Sequence, residues 1–125
     1  MRGLSAQDIV VEFLQPNGSV NRVLDKINLT VRPETIVGLT GASGRGKTTL
    51  GRVMAGLTVP VAGHVICDGG TVGHVRNRSG KNVRGRIGMV FQSPRRSCDP
   101  RLTLGKTIKQ TAKPDIDLAQ ILSAV

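Results

Sequence analysis

The sequence predicts an α/β fold in which an antiparallel β layer precedes a mostly parallel sheet. Three observations predict it. Two strand-like runs open the chain, at residues 8–14 and 20–31, separated by Pro16 and the Asn17-Gly18 turn signal. A short apolar, β-rich run at residues 35–40 then reads as a fully buried strand. Directly after it, Leu50, Val53, Met54 and Leu57 fall at i, i+3, i+4 and i+7, one apolar face of a helix. Half-buried strands ahead of a fully buried one set antiparallel pairs beside a parallel core.

The elements follow in order. Residues 27–31 alternate apolar and polar, which is the period of a half-buried strand, and Pro33 marks a turn after them. Between the buried run and the helix lies Gly41-Ala42-Ser43-Gly44-Arg45-Gly46-Lys47-Thr48, the pattern G-x-x-x-x-G-K-T. This is a phosphate-binding P-loop, or Walker A motif, in the strand–loop–helix setting it requires. Gly41, Gly44 and Gly46 carry no Cβ, so the loop can use positive φ and bring backbone N–H groups close to an anion. A helix starting near Gly46 adds unpaired donors and the positive end of its dipole. That end contributes only about 0.3–1 kcal/mol. A triphosphate therefore needs more charge, which Lys47 supplies to the β- and γ-phosphates, while the Thr48 hydroxyl can ligate Mg²⁺. The predicted fold is thus a P-loop NTPase core with an N-terminal antiparallel β layer.

Further along, residues 63–67 read as a strand ending at the Asp68-Gly69-Gly70 turn, with residues 71–75 pairing back. Residues 76–85 are basic, glycine-punctuated loop. Residues 86–91 form the next strand, which stops at Gln92 because Ser93-Pro94 cannot extend a central strand. Ligands of open α/β sheets bind at such strand ends. The Gln92 amide can ligate Mg²⁺ or orient an attacking water, or it can simply face solvent. Thr103 caps a helix containing Leu104, Ile108 and Ala112, interrupted at Pro114. Asp117 with Gln120 resembles a capping box opening another helix, whose apolar face is Leu118, Ile121, Leu122 and Val125. The expected organisation is a core over residues 1–102 and the start of a helical subdomain over 103–125, truncated before that subdomain is complete.

Composition bounds the function. The chain has 125 residues and a formal net charge of +10. Nine of its Lys and Arg residues lie between Arg76 and Lys106, where Asp99 is the only acid. That charge is a footprint of nucleic-acid binding. Yet the aromatics are two phenylalanines, a poor supply for base stacking, and no zinc-finger or RNA-recognition pattern is present. No apolar run approaches the ~18–20 residues of a membrane span, and no apolar h-region follows the N-terminus. Cys67 and Cys98 form no CxxC pair and fit a reducing cytosol. His64, Cys67, His74 and Cys98 match no usual zinc spacing. A basic nucleic-acid module and another P-loop enzyme, such as a kinase with Arg95 or Arg96 as a lid arginine, stand as the alternatives.

The chain resembles the N-terminal part of the ATP-binding-cassette (ABC) transporter ATPases, most closely the oligopeptide, dipeptide and nickel importer branch. Residues 23–31 resemble the family's second strand, residues 38–50 its Walker A and residues 63–69 the strand and Asp-Gly turn after the first helix. Residues 89–104, with Phe91-Gln92-Ser93-Pro94, resemble the Q-loop and the stretch after it. The resemblance implies that Gly41, Ala42, Ser43, Gly44, Arg45, Gly46, Lys47, Thr48 and Thr49 hold ATP and that Phe13 stacks on adenine. It implies Lys47 and Gln92 as catalytic residues, and Thr48 and Gln92 as Mg²⁺ ligands. It implies a second ATPase subunit, identical or related, whose signature motif closes the site. Transmembrane permease subunits would tie the chain to the cytoplasmic face of the membrane, and no nucleic acid is expected. An LSGGQ-like signature, a Walker B strand with its glutamate and a switch histidine after the Q-loop are absent from these residues, so the expected activity is ATP binding with negligible hydrolysis.

Overall fold

The computed structural model describes residues 3–72, 87–93 and 98–111. The proposed loop at 76–85, most of the return strand at 71–75 and the helix opened by Asp117 lie outside these. The chain divides into two units, Met1–Met89 and Val90–Val125, and each is described by itself.

The first unit is built on a long hairpin. β1 (Leu4–Leu14) and β2 (Val20–Val31) pair antiparallel. Their turn closes with the Gly18 amide on the Gln15 carbonyl at 2.9 Å and the Gln15 amide on the Ser19 carbonyl at 2.8 Å. Gly18 has φ 80, the left-handed region where glycine carries no Cβ penalty. Helix α1 (Lys47–Met54) follows, then β3 (Ala62–Cys67) and the two-residue β4 (Gly70–Thr71). The sheet order is β2-β1-β3-β4, and each of its pairings is antiparallel. Asp68 and Gly69, at φ 49 and 78, form the tight connection between β3 and β4. Positive φ at both central positions matches the right-handed twist of the flanking strands, which is why Asp-Gly recurs there.

One face of this sheet carries the core. Ala6, Ile9, Val11, Leu24 and Val65 meet Leu50, Val53 and Met54 of α1, all buried. Fully burying side chains such as Ile9 or Val53 stabilises the unit by about 1.5–3 kcal/mol each. Ala6 and Ile9 both point inward although they differ in parity, because β1 carries a bulge at Asp8 (φ 48). A second bulge in β2 centres on Lys26 (φ 47). Asn28 ties the two together. Its Oδ1 accepts the Asp8 amide at 3.0 Å, and its Nδ2 donates to Asp8 Oδ1 and the Lys26 carbonyl, both at 3.2 Å.

Two expected strands do not form. Residues 35–40 are irregular and outward, with Ile36 fully exposed and Val37 and Leu39 more than a third exposed. Residues 87–91 carry no strand either, and Val90 is 91% exposed. A strand needs a ladder partner and a covering face. Among the described residues neither run has a ladder partner. The mostly parallel sheet is therefore not present there, whereas the antiparallel layer is. Leu57 is also outside, because Gly56 (φ 72) ends the helix just before it.

In the second unit, α2 (Leu104–Thr111) starts where Thr103 predicts. The Thr103 hydroxyl accepts the Lys106 amide at 3.4 Å, and its carbonyl accepts the Thr107 amide at 3.0 Å.

The bulge in β1 crowds its neighbour. A Cβ at Gly63 (φ 83) would overlap the carbonyl oxygens of Gln7 and Asp8, whereas one at Gly69 meets open space. Gly63→Ala should therefore cost on the order of 3 kcal/mol in urea unfolding, through strain plus a backbone clash. Gly69→Ala should cost about 1 kcal/mol, from its φ alone. Equal losses at the two sites would contradict the register.

Candidate phosphate-binding site

The glycine loop leads into α1 against the back of β2. Gly46 is the N-cap at φ 83, ψ 3, and its carbonyl accepts the Leu50 amide at 2.8 Å. A Cβ there would lie 2.7 Å from Leu24 Cδ2 and 3.1 Å from the Val23 carbonyl. Only glycine lets the loop reach helical geometry this close to β2. Gly44 (φ 77) and Gly41 (φ 146) turn the chain with open space around them. Residues 41–45 and Thr48 are exposed, while Lys47 and Thr49 are half-buried.

The donors of this loop are unspent. Among the described residues, no backbone amide of residues 42–48 donates to a protein acceptor. The first turn of α1 carries no acidic side chain. Lys47 Nζ donates to the carbonyls of Gly41 and Ala42, each at 2.7 Å. The lysine thus braces the loop across its mouth, and a bound anion would compete for that ammonium. The arrangement can hold a multiply charged anion by amides, a helix N-terminus and a cation together.

Phe13 lies on β1, opposite Asn21, and is 44% exposed. Along β2, Asn21 is two or three residues from the Val23–Leu24 contact with Gly46, about 7–10 Å at strand rise. Beside it, Arg22 Nε donates to Glu12 at 2.8 Å across the strand pair, and this bond with the Glu12 and Asp25 charges raises the guanidinium above its ordinary value.

Gln92 belongs to the second unit, where it is exposed. Downstream, Asp99-Pro100-Arg101-Leu102 forms a turn that the sequence reading did not single out, although Asp-Pro is a turn signal. Asp99 Oδ1 accepts the Arg101 amide at 3.0 Å, and its carboxylate takes two bonds from the guanidinium, at 3.0 and 2.9 Å. The side-chain bonds, then the amide bond, hold Asp99 below the usual carboxylate range. Among the described residues no cluster of His, Cys, Asp or Glu could hold a metal. None of their helices is long and apolar enough to cross a membrane.

A glycine loop with free amides and a lysine thus stands beside an antiparallel layer. Residues 24–125 match the ABC transporter family, and the chain belongs to it. A Brucella ovis protein provisionally named a peptide import ATP-binding protein is 34% identical over 101 residues, covering 81% of this chain and 32% of the relative. A Brucella abortus protein of the same name is 34% identical over 109 residues, covering 82% and 33%. One from Brucella melitensis is 34% identical over 109 residues, covering 82% and 29%. The chain thus spans about a third of the length of these relatives.

The Asp99 turn gives a pH test. Its folded value is depressed, so the turn is favoured above the ordinary carboxylate range and loses that support as pH falls through the lowered value. The Arg101 amide resonance should shift with a midpoint below that of a model aspartate. Asp99→Asn should remove the titration.

Proposed function

We propose that this chain is the nucleotide-binding part of an ABC importer ATPase, with a P-loop NTPase core that binds Mg-ATP through residues 41–49. The observation that carries the reading is the loop itself: residues 42–48 keep their amides free while Lys47 stands at the mouth. In this reading Gly41, Ala42, Ser43, Gly44, Arg45 and Gly46 lend backbone donors to the phosphates. Lys47 exchanges its carbonyl partners for phosphate oxygens, and Thr48 reaches the Mg²⁺ with Thr49 beside it. Phe13 takes the adenine face. By resemblance to the family, Gln92 would carry a Mg²⁺-ligating role and the coupling to a permease.

The relatives' names support import of peptides as the transport class. A second ATPase subunit would supply the signature motif, and permease subunits would hold the assembly at the cytoplasmic face of the membrane. Phosphoryl transfer is mostly positioning and charge stabilisation. In this reading these residues position phosphates, and the part assigned to them is ATP binding.

Two measurements test it. Mg-ATP at ~100 times its dissociation constant should stabilise the chain by about 2.7 kcal/mol, and Lys47→Ala should abolish that gain. An equal shift in wild type and variant would place ATP elsewhere. Phe13→Ala should weaken ATP binding by about 1–3 kcal/mol, as loss of one base–aromatic stack does. Calorimetry showing no loss would remove Phe13 from the adenine site.

A further inference from the structure

We infer that the first unit holds a ligand site on the sheet face opposite α1, which takes a small organic carboxylate with an apolar body. A cavity of about 420 Å³ opens there. Small-molecule pockets run from about 300 to 1,000 Å³. The register places it. Ser5 of β1 pairs with Thr30 of β2 on one side and with Ile66 of β3 on the other. The next residues inward, Ala6 and Val65, are buried in the core with α1, so strand alternation sets Ser5, Thr30 and Ile66 on the other face. Both walls are pinned. The Gly3 amide donates to Asp68 Oδ1 at 3.0 Å, and the Asp68 amide donates to the Gly3 carbonyl at 2.9 Å. Across the cavity, Thr35 Oγ1 donates to the Arg32 carbonyl at 2.7 Å. The walls come together at Gly3, where a Cβ would lie 2.8 Å from the Val31 carbonyl oxygen and 3.3 Å from Pro33 Cδ.

The lining divides by chemistry. Ile66 and Pro33 offer apolar surface. Ser5, Gln7, Thr30 and Arg32 are polar, and among the described residues none of their side chains makes a hydrogen bond or ion pair. Arg32 lies two residues beyond Thr30, about 7 Å along the strand direction. Ile66 lies two strands across from Thr30, about 10 Å away. A guanidinium toward one end and an isoleucine toward the other match a molecule with an anionic head and an apolar tail. The planar guanidinium meets a carboxylate with two parallel N–H donors, and the hydroxyls beside it add further donors. No acid lines the cavity to neutralise that charge, and Asp68 at its edge already accepts the Gly3 amide. Inorganic phosphate would leave Ile66 and Pro33 without a partner. A hydrocarbon would do the same to Arg32 and the hydroxyls. The carboxylate with an apolar body satisfies both halves.

The test is a titration of the full chain with octanoate, followed through backbone amide resonances, with octylamine as the cationic control of equal length. Octanoate should shift the Ser5, Thr30 and Ile66 amides, and octylamine should leave them in place. Arg32→Gln should weaken octanoate about tenfold, with Arg32→Lys recovering part of the loss. Unchanged melting of the Arg32→Gln variant checks that the exposed position leaves the fold intact. Thr30→Trp should fill the cavity and abolish the shifts at Ser5 and Ile66. Mg-ATP should leave octanoate bound, because the glycine loop leads into the helix on the other face. Displacement of octanoate by Mg-ATP, equal binding of octylamine, or undiminished binding by Arg32→Gln overturns the inference. So does an absence of shifts in the wild type, the result expected if another part of the chain occupies the cavity.

Discussion

The contact between Gly46 and β2 is the constraint on which the site depends. It joins two kinds of order. Leu24 is a core side chain, buried with Ile9, Val11, Leu50 and Val53, and its Cδ2 marks the limit of approach for the loop. Burial of the α1 face pulls the helix onto the sheet, and the missing Cβ at position 46 lets the N-cap follow. The hydrophobic effect thus sets where the phosphate donors stand, although it is non-directional. The direction comes from the helix, whose first turn aims unpaired amides along its axis.

Much of this was legible in the residues, for reasons that differ by element. The alternation in residues 27–31 and the Asn17-Gly18 turn fix the hairpin, and both strands appear. The first four residues of β1 lack a legible strand pattern, because the bulge at Asp8 breaks the period of two. The apolar face of α1 holds through Met54, and Gly56 explains why Leu57 falls outside it. Residues 35–40 show the opposite failure. Their composition is that of a buried strand, but composition states a preference and a ladder partner decides. The glycine spacing of the loop was plain. Its support was not, since the approach of Gly46 to Leu24 and the reach of Lys47 to two carbonyls are tertiary facts with no local signature.

Charge and geometry act on different ranges here. The net charge of +10 raises the encounter rate with any polyanion and is blind to its identity. Discrimination has to come from groups that are both fixed and short of partners. The first unit places unspent donors on its helix side, the amides of residues 42–48. Arg22, by contrast, is already committed to Glu12 across the hairpin and to Asp25 on its own strand. Free amides at a helix N-terminus distinguish this surface from a merely basic one.

The loop is held unequally at its two ends, and this bears on how tightly it can bind. Its exit is fixed by α1 and by the Gly46 contact with β2. Its entry, residues 35–40, has no ladder bond among the described residues; Thr35 Oγ1 donates to the Arg32 carbonyl at 2.7 Å. Affinity reflects interaction energy less the cost of ordering what makes it. Donors on the helix side are in place before an anion arrives. Those nearer Gly41 must be set by the anion itself or by whatever pairs with residues 35–40. Lys47 reduces that cost by clasping the Gly41 and Ala42 carbonyls, and a bound anion would compete for that clasp. The same ammonium cannot brace the empty loop and neutralise the ligand at once.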